Sequence, residues 1–324
     1  GEADWPCWRG THGDGRSRQT GIRKDWTYGL KQLWEANFLC QGSNSATWSA
    51  PVIRGSRLVA CGRDEANDLI LCLDASTGKL LWRSSYPAKT ENSHGTGSRA
   101  TPYIDGDRVY TFGRGGDLAC WRLLDGSEIW RRNVSQAGGK ATTWGYSSSP
   151  LVVDRLVVVQ AGGEARTLAY DKLSGEVALK SGQGPAGYAA LVAARFGEKD
   201  AVLAFHGKGL AALDAMTGQE LWNSPWETSF DVNATTPIVM GDTIFITSGY
   251  GSGCALLKAD AGRATVLWRN LAIASHHSDP YAMDGFLYGY DEKSTFRCLD
   301  LKTGVEKWKI RGEMGVTGSG GGGF

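Results

Sequence analysis

The apolar and polar positions of this chain alternate as they do in short strands, not in helices. "LILCLDASTGKLLW", residues 69 to 82, reads as an apolar strand, a polar turn and a second strand that stops on a tryptophan. "DRLVVVQ" and "DTIFITSG" are likewise short, rich in β-branched residues and bounded by turn formers, which predicts an all-β chain. The first phrase returns as "LAALDAMTGQELW" at 210 to 222 and as "RCLDLKTGVEKW" at 297 to 308. Aligned on the turn, the copies share Asp-x-x-x-Gly-x-x-x-Trp: Asp74, Gly78 and Trp82; Asp214, Gly218 and Trp222; Asp300, Gly304 and Trp308. Eroded copies keep Gly126 and Trp130 behind Arg122, or Asp171 and Gly175 before Leu179. "KADAGRATVLW" ends on Trp268, and Trp34 in "KQLWEA" closes one more.

The ends of these copies, at 34, 82, 130, 179, 222, 268 and 308, lie 40 to 49 residues apart, the period of β-propeller blades. Each residue type has a mechanical reason. Asp bonds its own backbone two residues on, Gly accepts the positive φ that ends the bend, and Trp offers a large flat surface with one N–H for an edge carbonyl. A second phrase falls between the first, as in "SAPVIRGSRLV" and "TTPIVMGDTIF", with Pro51, Pro102, Pro150, Pro237 and Pro280 in one register. Proline is tolerated where a strand begins, so each marks a strand start. The double-length gap from Pro150 to Pro237 predicts a copy without proline at 188 to 205. Two hairpins per period make a four-stranded blade. Six complete blades are expected, at about 48 to 82, 99 to 131, 147 to 180, 187 to 222, 233 to 269 and 277 to 309. The expected organisation is a lead-in at 1–32, one propeller domain at 33–312 belonging to an incomplete seven- or eight-bladed ring, and a Gly-rich tail at 313–324.

Composition narrows the function classes. Lys plus Arg (35) nearly balances Asp plus Glu (34), so no global field draws the chain to nucleic acid or an anionic membrane. No apolar run is long enough for a spanning helix. Of the seven cysteines, Cys72, Cys120 and Cys298 sit two residues before the Asp position of the phrase, where other copies have Ala169 and Ala212. This pattern reads as a small apolar filler, not a reactive thiol.

The phrases resemble the PQQ-like (quinoprotein-like) β-propeller repeat family, with its tryptophan-docking pattern. "DWPCWRGTHGDGRS", "SGYGSGCALLKAD" and "HHSDPYAMDGFLYGYDE" are similar to segments of bacterial secreted proteins carrying this propeller alone. The resemblance covers roughly residues 4 to 312. It implies two alternatives. Quinoprotein dehydrogenases of the family hold pyrroloquinoline quinone (PQQ) with Ca²⁺, cap it with a disulfide between adjacent cysteines and use an Asp base, but no two cysteines here are adjacent. Relatives without the cofactor use the repeat as an interaction platform.

The repeat also locates a surface. Residues just before each strand-start proline are expected together on one rim: Trp48, His94, Arg99, Trp144, Tyr146, Asp231, Asn233, His276, His277 and Asp279. Adjacent histidines on a strand point to opposite faces, and no third ligand motif accompanies "HHSDP", so no metal site is expected. "GRGGD" at 113 to 117 and "GYGSG" at 249 to 253 read as hairpin turns. The expectation is a monomeric, non-catalytic module of the periplasm or extracellular space. It would bind a protein or glycan at the rim, without cofactor. The alternative is a PQQ- or metal-dependent oxidoreductase. Trp34, Trp82, Trp130, Trp222, Trp268 and Trp308 are expected to dock blades.

Overall fold

The computed structural model describes residues 4–89 and 94–311, and the Gly-rich tail expected at 313–324 lies outside them. Six four-stranded antiparallel sheets are present among these residues, each with its strands in chain order. The first comprises β1 (Val52–Arg54), β2 (Arg57–Arg63), β3 (Asn67–Asp74) and β4 (Leu80–Pro87). The second comprises β5 (Tyr103–Asp105), β6 (Arg108–Phe112), β7 (Asp117–Arg122) and β8 (Glu128–Asn133). The third runs through β9 (Leu151–Val153), β10 (Leu156–Gln160), β11 (Thr167–Asp171) and β12 (Val177–Ser181). The fourth holds β13 (Val192–Phe196), β14 (Lys199–His206), β15 (Gly209–Asp214) and β16 (Glu220–Pro225), and fills the slot that has lost its proline. The fifth holds β17 (Ile238–Met240), β18 (Thr243–Ser248), β19 (Gly253–Ala259) and β20 (Ala264–Asn270). The sixth holds β21 (Tyr281–Met283), β22 (Phe286–Tyr290), β23 (Thr295–Asp300) and β24 (Glu306–Arg311). The fold is all-β, and the sheets are β-propeller blades.

The chain divides into two compact units. One is built from the chain up to Gln136 with Trp144–Val157 and Asp171–Glu176; the other from Ala137–Thr143, Val158–Tyr170 and the chain from Val177 onward. In the first unit Val52, Ile70, Trp82, Tyr86, Ile104, Val109 and Trp121 form a buried core. In the second, Phe196, Leu203, Phe205, Trp222, Trp226, Ile244 and Leu257 do the same.

Every strand-start proline sits immediately before the first strand of its blade, where no ladder N–H is asked of it. The two-residue turn that follows needs a positive φ, and Gly55, Gly106, Gly197 and Gly241 supply it. Asp154 and Asp284 take the same conformation at φ 49° and 51°, as short polar side chains can.

The Asp-x-x-x-Gly-x-x-x-Trp phrase builds the joint between consecutive blades. Asp74 Oδ1 accepts from the Ser76 and Thr77 amides at 3.1 and 3.0 Å and from their hydroxyls at 2.6 and 2.8 Å, which closes the turn. The same bonds hold the Asp74 carboxyl below its ordinary range. Onto each such turn comes the tryptophan of the copy before. Trp34 Nε1 donates to Ala75 O at 3.0 Å, Trp82 to Leu123 O at 3.0 Å and Trp130 to Lys172 O at 3.2 Å. In the second unit Trp222 donates to Asp260 O at 2.8 Å and Trp268 to Leu301 O at 3.0 Å. In four of these five joints the indole lies flat on the turn glycine; Gly262, in the turn that receives Trp222, has no ring against it. A Cβ on Gly78 would meet Trp34 at 2.5 Å, on Gly175 Trp130 at 2.6 Å, and on Gly304 Trp268 at 2.7 Å. Gly126 is as tightly covered by Trp82. Where Leu179 replaces tryptophan, the gap to a Cβ on Gly218 opens to 3.2 Å.

Opposite the outer-strand residue stands a small one in five of the six sheets: Cys72 faces Trp82, Cys120 Trp130, Ala169 Leu179, Ala212 Trp222 and Cys298 Trp308, whereas Leu256 faces Trp268 in the fifth. A register shift, a β-bulge, follows the inner residue in all six pairs. Trp308 differs from the other five tryptophans. It is 41% exposed, and among the described residues no following turn receives its indole.

Two comparisons test the joint by urea unfolding. Gly126→Ala is expected to cost more than about 2 kcal/mol, because the left-handed backbone and the indole both oppose a Cβ, whereas Gly218→Ala costs about 1 kcal/mol from backbone strain. Trp82→Ala is expected to cost about 3 to 5 kcal/mol and Trp308→Ala well under half as much. Equal costs within either pair would show that the indole does not rest on the glycine.

Candidate functional site

In the first unit the loops that precede β1, β5 and β9 are laced together. Residues 44–48 and 95–98 pair through backbone bonds, Thr96 N to Asn44 O at 2.8 Å, Gly97 N to Ala46 O at 3.0 Å and Trp48 N to Ser98 O at 3.0 Å. This pairing accounts for the glycines around His94: a Cβ on Gly95 or Gly97 would lie 2.9 or 2.8 Å from Ala46 O. Trp48 stands 67% exposed, yet its Nε1 donates to His94 O at 3.1 Å, so the ring is held in place. Arg99 reaches the same carbonyl at 3.5 Å. "GRGGD" forms the β6–β7 turn, and from it buried Arg114 donates to Trp144 O at 3.0 Å and to Gly95 O. Tyr146 is buried against Phe112, ring centroids 4.9 Å apart, and supports these loops from behind. Trp48, His94, Arg99 and Trp144 are thus brought together, with Tyr146 beneath them.

In the second unit Asn233, fully buried, ties four segments. Its Nδ2 donates to His206 O at 2.7 Å and Trp226 O at 3.1 Å, its Oδ1 accepts from Ser248 Oγ at 2.7 Å, and its carbonyl accepts from the Tyr188 and Ala189 amides at 2.9 Å. Asp231 pairs with Lys208 at 2.9 Å, and Asp279 Oδ1 accepts from Thr236 N at 2.7 Å. His276 and His277 stack with centroids 3.9 Å apart and planes 19° apart. Tyr250 meets His276 edge-on at 4.6 Å, and Phe230 meets Tyr250 edge-on at 5.8 Å. Phe230 is 66% exposed and Tyr250 39%. Phe230, Asp231 and Tyr250 adopt φ of 60°, 59° and 56°, a conformation that costs an L side chain about 1–2 kcal/mol each. Such strain gathers at sites where a side chain must be displayed. Burial lowers the His276 pKa against the opposing pull of Glu292 and keeps the imidazole neutral.

Phe230, Tyr250 and Glu292 were not among the residues expected to form a site. "GYGSG" is the β18–β19 turn, as the sequence indicates. The available signal was an aromatic residue between two glycines at a turn where a small polar residue is usual.

Among the described residues no three His, Cys, Asp or Glu side chains are placed to share an ion. The seven cysteines are free, and burial pushes the Cys7 thiol up to about 11 and those of Cys61 and Cys254 up to about 12.

Known proteins share this pattern. The family model described as outer membrane protein assembly factor BamB matches residues 66–310. The outer membrane protein assembly factor BamB of Burkholderia pseudomallei (strain K96243) is 26% identical over 292 residues, which cover 86% of this chain and 69% of that protein. The crystal structure of BamB from Moraxella catarrhalis superposes with a TM-score of 0.60 at 17% identity, over 87% of this chain and 78% of that one. The quinohemoprotein alcohol dehydrogenase from Comamonas testosteroni gives 0.54 at 16% identity, over 95% of this chain but 49% of the enzyme. At these identities the two solved structures share the fold.

His206, behind the Asn233 knot, yields a pH test. Its Nδ1 accepts from Lys208 N at 3.2 Å and its Nε2 lies 3.2 Å from Asn223 Oδ1. Burial first, and then the Arg166 charge, lower its pKa from 6.5 to about 4. The unfolded chain therefore takes up this proton first. The contribution is whole above about pH 6.5, is lost progressively as pH falls towards 4 and is flat below, up to about 3 kcal/mol in all. Calorimetry of the wild type and His206→Gln should show their stability difference narrowing across that window. Parallel curves would place the titration elsewhere.

Proposed function

The chain belongs to the family of the outer membrane protein assembly factor BamB, and from that premise we propose that it is a non-catalytic, protein-binding β-propeller of the periplasm. The observation that carries this reading is Trp48. An indole that is 67% exposed, anchored through Nε1 and flanked by His94 and Arg99, is the kind of rigid aromatic on which protein interfaces concentrate their binding energy. The indoles of Trp34, Trp82, Trp130, Trp222 and Trp268 are spent on the fold, whereas this one faces solvent. The named relative is an assembly factor of outer membrane proteins, and a partner of the same compartment fits a rim of polar and aromatic groups better than a small substrate does. Among the described residues no helix is long and apolar enough to cross a membrane.

The test is site-specific photo-crosslinking. With a photoreactive residue at position 48 and irradiation in intact envelopes, one protein adduct is expected, and Trp48→Ala should weaken the purified pair by about tenfold or more with an unchanged unfolding midpoint. Saturable uptake of PQQ with Ca²⁺, accompanied by dye-linked alcohol oxidation, would replace this reading with the quinoprotein one.

A further inference from the structure

The ring cluster of the second unit has a chemistry of its own. Phe230, Tyr250 and His276 meet in successive near-perpendicular pairs, with interplanar angles of 64° and 74°, so their faces turn around a corner instead of forming a flat patch. The first two have left-handed backbone, and the outermost ring, Phe230, is 66% exposed. In the cluster itself, His276 Nε2 is buried without a protein partner. Glu292 flanks the same corner: it accepts from Gly251 N at 3.1 Å, and its charge acts on the His276 ring. Lys208, the cation beside Phe230, is engaged by Asp231 at 2.9 Å. Perpendicular aromatic faces with a carboxylate at the edge attract a cation and stack a planar one especially well.

We propose that Phe230, Tyr250, His276 and Glu292 form a recognition site for an arginine side chain of a protein partner. The guanidinium lies over the Tyr250 and Phe230 faces with its charge turned to Glu292. Because it donates five N–H groups and accepts none, it suits a site whose charged edge is an acceptor. The neutral state of His276 removes the repulsion an imidazolium would add. The chain already uses this contact internally, with the Arg269 guanidinium 4.1 Å above the Trp226 ring and that of Arg131 5.0 Å above the Tyr86 ring. The inference rests on the protein-binding reading above and adds the side chain that is read.

The probe is the acetylated, amidated tripeptide Gly-Arg-Gly, with its citrulline counterpart as a neutral isostere, followed by NMR of the aromatic side chains. Saturable shifts at Phe230, Tyr250 and His276 are expected. The affinity should fall about fivefold or more for citrulline, for Glu292→Gln and for Tyr250→Asn, a residue that tolerates the left-handed backbone while deleting the ring. Lys293→Gln, beside Glu292 in the turn, should tighten binding. Retained unfolding midpoints exclude misfolding as the cause. Equal binding of the two peptides, shifts confined to other rings, or equal binding of a neutral maltohexaose would overturn the arginine assignment. If the Trp48 crosslink still captures a protein while the tripeptide fails, this inference falls alone; if the tripeptide binds and no protein is captured, the scaffold reading falls and the cation site stands.

Discussion

The structure depends on one contact: the indole of one blade laid on the glycine of the next blade's turn, with its N–H on the carbonyl that follows the turn's leading position. Four-stranded sheets cannot bury both faces alone, so their stability comes from neighbours. The contact solves three problems together. Burying the ring removes a large apolar area from water, the N–H finds the carbonyl it would otherwise lack, and the sheet register is fixed because the turn can be met in one place only. Four repetitions with N–O distances of 3.0–3.2 Å show how narrowly the geometry is held, and Trp222 keeps the N–H bond, to Asp260 O at 2.8 Å, without the glycine contact. The bulge recurs even where Leu256 stands opposite Trp268, so it belongs to the joint and not to the small residue.

Because the joint consumes the outer strands and their turns, freedom to vary passes to the loops before each first strand. Those loops are not slack. Arg114 in one unit and Asn233 in the other reach the backbone carbonyls of separate segments, so the exposed side chains are carried by a hydrogen-bonded frame. A frame of this kind lowers the ordering cost of binding, which is where rigid aromatics gain over flexible lysines.

The fold was legible in the sequence because its joint is spelled locally, within nine residues and at a steady period. What local spelling omits is direction and mutual dependence. The positive φ of Gly78 or Gly126 is a property of the turn and can be anticipated; the ring lying on that same glycine arrives from a residue over forty positions earlier and cannot. Leu179 and Gly218 make the dependence visible, since the gap widens where the ring is missing. The candidate site was legible in outline only. Position before the strand-start prolines selected both Trp48 and Tyr146, but exposure separates them: Tyr146 is buried against Phe112 of β6, and Trp48 stands 67% exposed. Asn233 looked like a rim group and is a buried knot. Tyr250 looked like turn filling and is displayed.

Tyr250 and Phe230 show why such departures carry information. A left-handed aromatic residue at a hairpin tip lowers stability, and a glycine in its place would remove the strain. The blade joints leave room for this, because each buries an indole and an N–H without help from the loop tips. Strain at the tips is therefore tolerated by the fold but not required by it. Two adjacent loops place their left-handed residues so that the rings meet at a corner, and no packing demand of either sheet calls for that. The arrangement is better understood as shaped by what the corner holds than by what the sheets beneath it need.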